Sequence, residues 1–157
     1  MKSLTQSIKE SIQSRINEAR INPKDEKLFW KWIEELGGTE MMSKIQEEES
    51  GKPLYIKASE LGTTGEQFEL FCDIFFEIAD DFLTIIEDDD PGMSDDSCQY
   101  ASWSAPFYGE KTVKKQLKSK DWSICEEYFG EWCGYAMSYD NYWEYLEDNG
   151  LEPEGFK

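Results

Sequence analysis

Asp88, Asp89 and Asp90, followed by Asp95 and Asp96, form the densest run of carboxylates in the chain, and cation binding is the first chemistry they suggest. A calcium loop needs oxygen ligands at alternating positions, a glycine at the sixth and a glutamate at the twelfth. Counted from Asp88, the sixth position is Met93 and the twelfth is Gln99. The pattern fails, and no metal is expected. Cys72, Cys98, Cys125 and Cys133 are separated by 26, 27 and 8 positions, which matches no zinc module, and there is no histidine to complete one. Four reduced thiols packing as small hydrophobes are expected instead. If Cys125 and Cys133 shared one helix, about 12 Å would part them, too far for a disulfide. The lack of histidine also removes Ser–His and Cys–His nucleophile pairs and the usual base near neutral pH. Carboxylate-only catalysis stays open, since paired acids beside aromatic platforms perform glycoside chemistry. Among 34 acidic residues, however, spacing singles out no pair, and no catalytic residue or cofactor is expected.

Rings are the second store of binding chemistry, and residues 100–145 are dense in them. Trp122, Phe129 and Trp132 recur at helical spacing and read as core. Tyr135, Tyr139 and Tyr142 flank a turn, and a domain of this length has too little interior for every ring. Tyrosine and tryptophan beside carboxylates are typical anchors of protein interfaces. The expected partner-binding set is therefore Asp88, Asp89, Asp90, Asp95 and Asp96 together with Tyr139, Tyr142 and Trp143. Lys111, Lys114, Lys115, Lys118 and Lys120 raise phosphate binding as a possibility. In so acidic a chain, the expected role of these lysines is internal, beside an acidic helix stripe where they reduce self-repulsion.

Charge narrows the partner class. Residues 1–39, 40–99, 100–120 and 121–157 carry nets of +1, −14, +4 and −9, which make up the total of −18. Such a chain repels nucleic-acid backbones and anionic membranes and attracts basic surfaces. With 39% hydrophobic and 15% aromatic residues in 157, it can bury one real core. The first seven residues hold no apolar run suited to a secretory signal, and every long apolar stretch is broken by acids, so the expected address is the cytoplasm.

The elements that must position these groups read as helices. Leu4, Ile8, Ile12 and Ile16 mark an amphipathic helix that Asn22-Pro23 ends, capping a second helix with Leu28, Phe29, Trp32, Ile33 and Leu36 on one face and a stop at Gly37-Gly38. Thr39 is the expected cap of a short third helix. Leu54-Tyr55-Ile56 reads as a short strand or an apolar anchor in a loop. Thr64 and Gln67 form a capping box ahead of the strongest helix, about 65–87, whose Phe71, Phe75 and Phe82 are expected in the core and whose acids leave one wet stripe. Ser94 caps a short helix, the lysine helix follows Pro106, and a final helical pair runs from Trp122 through Ala136 and then to Asn149-Gly150. The expected fold is all-α, with at most one minor short β element: a single acidic domain over 1–157, an irregular bundle around the 65–87 helix.

The expected function is non-enzymatic: a monomer that covers a basic protein partner, of the type of an immunity protein inhibiting a nuclease-like toxin. That is a likeness of size and acidity, without a shared motif. DNA mimicry directed at a DNA-binding, restriction or CRISPR protein is the alternative, and a small carboxylate enzyme is the third class.

Overall fold

A computed structural model describes residues 22–89, 91–126 and 130–151; the Leu4–Ile16 periodicity, Asp90 and Phe129 lie outside them. The first described helix, α1 (Pro23–Leu36), starts as its residue types demand. Asn22 accepts the Lys24 backbone N–H at 2.8 Å, and Pro23 supplies a helical φ where no donor is needed. Gly37, at φ 111°, ends it in the left-handed region that glycine enters without penalty. Helix α2 (Thr39–Glu48) differs from expectation at its start: Gly38 is the capping position, and Thr39 is already helical and makes no cap. Residues Lys52–Glu60 form a third helix, α3, rather than a strand or loop. Pro53 presets its first turn, and Leu54, Tyr55 and Ala58 give it a buried face. No strand occurs among the described residues.

Helix α4 (Gly65–Asp89) is the axis of the fold. The capping box forms as its spacing requires: Thr64 Oγ1 accepts the Gln67 N–H at 3.1 Å, and Gln67 Oε1 accepts the Thr64 N–H at 2.9 Å. Twenty-five residues make a rod of about 37 Å. Phe68, Phe75 and Phe82 have no exposure and Phe71 almost none, whereas Glu66, Glu69, Asp73, Asp80 and Glu87 line the exposed side. Four neighbours take up its apolar faces. Helix α1 brings Trp32 within 4.6 Å of Phe71, ring to ring. Helix α5 (Asp95–Ser102), capped by Ser94, folds back along it until Trp103 meets Phe76. A 3-10 turn, Ala105–Tyr108, sets Phe107 edge-on to Phe75.

The remaining chain diverges from a simple helical pair. Helix α6 (Glu110–Ser119) buries Val113 and packs on the Ala105–Tyr108 turn. Its Lys114 pairs with Glu110 and with Glu26 of α1, so this lysine serves α1 and not the acidic stripe of α4. The stretch expected as one helix from Trp122 to Ala136 is a 3-10 turn, Ser123–Glu126, followed by the six-residue α7 (Glu131–Ala136). Trp122 and Trp132 are half-buried there and not core. Helix α8 (Tyr139–Asp148), capped by Ser138, fills the last face of α4 and stacks Tyr142 on Phe68 at 4.2 Å. All four cysteines are free and buried. No helix among the described residues is long and apolar enough to cross a membrane.

Candidate functional site

Helix α7 carries Tyr135, an exposed large ring, and is held in place from outside itself. Six residues cannot sustain a helix by their own hydrogen bonds. Gly130 has no side chain with which to cap α7, and Gln46 of α2 does so from across the fold, its Oε1 accepting the Trp132 N–H at 3.1 Å. At the other end, the Tyr55 hydroxyl of α3 donates to the Ala136 carbonyl at 2.8 Å. Sideways, the Gly130 N–H donates to the Tyr100 carbonyl of α5 at 2.7 Å. A Cβ on Gly134 would fall within the Trp103 ring, so glycine here permits close approach of α5 and α7.

That approach lines up four rings. Tyr100 comes from α5 and Trp103 from its C-terminal cap, and Trp132 and Tyr135 come from α7. Trp103 and Trp132 each meet Tyr135 with ring centroids 5.7 Å apart, both edge-on. The Tyr100 and Tyr135 hydroxyls share a hydrogen bond of 3.1 Å. That bond, ahead of desolvation and the charges of Asp96 and Glu131, pushes the Tyr100 phenol up to about 12, so it stays a neutral hydrogen-bonding group at neutral pH. Tyr135 is 44% exposed, unusual for a ring packed on three others. Beside the ridge lies a hollow of about 420 Å³, walled by Trp132, Tyr135 and Tyr145 and by Glu49, Glu144 and Asp148, with one cation, Lys52, also on its lining. Aromatic faces and carboxylates around one concavity suit an arginine or lysine side chain.

The expected acids reach this face only in part. Asp95 and Asp96 are exposed in the first turn of α5, where the helix dipole favours them, and Asp96 stands one turn from Tyr100. Asp88 and Asp89 are exposed at the end of α4, and Asp89 accepts the Trp122 indole N–H at 2.9 Å. Asp90 lies outside the described residues. Among the described residues, no group of three carboxylates or thiols is placed to hold a metal ion.

Compared with known proteins, the chain matches no family model, no curated protein and no solved structure. The site therefore rests on its geometry.

The expected aromatic half of the site is corrected. Tyr142 has no exposure: its ring stacks on Phe68, and its hydroxyl donates to the Thr63 carbonyl at 2.7 Å. It is core. Tyr139 and Trp143 are half-buried, and Tyr139 feels the charges of Glu69 and Glu66 in the first turns of α4. Glu69 and Asp88 are separated by about 28 Å of helix, so Tyr139 and the Asp88–Asp89 pair do not converge. The rings the fold gathers at one exposed place are instead Tyr100, Trp103, Trp132 and Tyr135. One local signal pointed to them: a glycine inside a helical pattern, Gly134, immediately before Tyr135, marks a close approach.

Proposed function

We propose that this protein is a non-enzymatic binding protein that covers a basic surface of a protein partner through the α5–α7 face. Its cellular role is then that of an immunity protein that silences a cationic, nuclease-type toxin. The observation that carries the reading is the hollow beside the ring ridge, whose lining joins Trp132 and Tyr135 to three carboxylates, Glu49, Glu144 and Asp148, against the single cation Lys52. A nuclease surface must be cationic to hold a phosphate backbone. An arginine or lysine from it fits an aromatic wall with carboxylates behind. The net charge of −18 steers the encounter, and the rings slow dissociation once the complex has formed. DNA mimicry has weaker support, because a duplex presents two phosphate strands and α4 exposes a single acidic stripe.

The test is capture of the partner from the native host, followed by surface plasmon resonance with two variants. Tyr135→Ala should mainly raise the off-rate, weakening binding by about 2 kcal/mol or more. Reversing Asp95 and Asp96 to lysine should mainly lower the on-rate and flatten its salt dependence. Binding that ignores both changes, or a captured partner with an acidic surface, refutes the reading.

A further inference from the structure

Lys24, Lys27, Leu28 and Lys31 recur at three- and four-residue steps along α1 and so share one face of that helix. Leu28 is 52% exposed among them. Across from this face stand Phe107, Tyr108 and Lys111, from the 3-10 turn and α6, with Trp30 and Ile33 also lining the space between. The result is a groove of about 1110 Å³, large enough for a small organic ligand. Four lysines line it against two glutamates, Glu34 and Glu110, giving a local positive balance in a chain of net −18. Lys24, Lys27 and Lys111 make no ion pair among the described residues, and Lys31 has only a long contact of 3.8 Å to Glu35. The Trp30 indole N–H is buried in this wall and has no hydrogen-bond acceptor among the described residues.

An apolar groove fringed by cations fits an occupant that is apolar along its length and anionic at one end. Size decides between kinds of anion. Charges more than about 8 Å apart are largely screened at physiological salt. A small ligand in the groove therefore meets only its lining, four lysines against two glutamates. An acidic protein, or a second copy of this chain, would set its own negative surface against the rest of this one. We propose that the groove binds a small amphiphilic carboxylate, with its chain or ring body on Leu28 and Tyr108 and its head group among the lysines. This site is independent of the α5–α7 face and stands or falls without it.

The probe is sodium dodecanoate, kept below its micellar range and titrated into the full chain while amide shifts are followed by nuclear magnetic resonance. Saturation at one equivalent is expected, with the largest shifts over residues 27–31 and 107–111. Affinity should fall at high salt, and at least tenfold in the Lys27→Glu, Lys31→Glu double variant. These lysines are exposed, so the variant should keep the dispersed spectrum of the folded chain. Leu28→Asn, which leaves charge untouched, should also weaken binding. Shifts centred on another face, or affinity unchanged in the double variant, would overturn the proposal. So would a tenfold gain on removal of residues 1–21, which would show that the chain itself occupies the groove.

Discussion

Cys133 has no solvent exposure, and burial alone pushes its thiol from 9.0 up to about 12. Cys125 is raised to about 12 as well, chiefly by burial, with a Ser104 hydrogen bond opposing. A raised value means that the folded chain keeps a proton which the unfolded chain releases. The stabilisation is complete below pH 9 and is lost progressively as pH climbs towards 12. The urea midpoint should therefore hold steady from pH 7 to about 8.5 and decline above 9, with a shallower decline in Cys133→Ala. A midpoint that stays flat to pH 11 would contradict the burial of these thiols. Cysteine burial was legible from residue type, because free cysteine packs as a small hydrophobe. The fate of the tyrosines was not. Tyr135 and Tyr142 flank the same turn, and local spacing treats them alike. They are separated by Phe68 and the Thr63 carbonyl, which claim Tyr142 from 74 and 79 positions away. Asp95 and Asp96 were readable as exposed because a helix start rewards acids wherever the helix lies.

At the level of elements, α4 is held by its sides more than by its end. Thr64→Ala removes one capping hydrogen bond and should cost about 1 kcal/mol. Phe75→Ala empties a site packed by Phe76 and Phe107 and should cost about 3–5 kcal/mol. Urea unfolding followed by circular dichroism measures both, and the reverse order would mean that the cap and not the core sets this helix. Twenty-five residues with one acidic stripe made α4 plain in the sequence. Helix α3 was hidden because nine residues complete too few turns to show a period, and Leu54-Tyr55-Ile56 has the composition of a strand. Helix α7 was hidden for a different reason. Its cap is Gln46, which no local pattern connects to Gly130. The candidate face was legible only as an excess of rings over available interior, because its assembly depends on that distant cap and on the Gly134–Trp103 contact.

Across the whole molecule, a net charge of −18 presses against the folded state even as it favours a basic partner. Added sodium chloride should therefore raise the melting temperature of the free protein by screening like charges, while slowing its association with a cationic partner. Differential scanning calorimetry at low and high salt checks the first effect, and a melting temperature that falls with salt would mean attractive pairs outweigh the repulsion. Two of the bonds that hold α7, from Gln46 to Trp132 and from Tyr55 to Ala136, join partners 86 and 81 positions apart. While the chain is being made, Gln46 and Tyr55 leave the ribosome long before the residues they hold exist. A nascent chain short of Trp132 has neither clamp and no ring ridge. The proposed inhibitory surface therefore cannot exist until a stretch more than eighty residues beyond its clamps has been added.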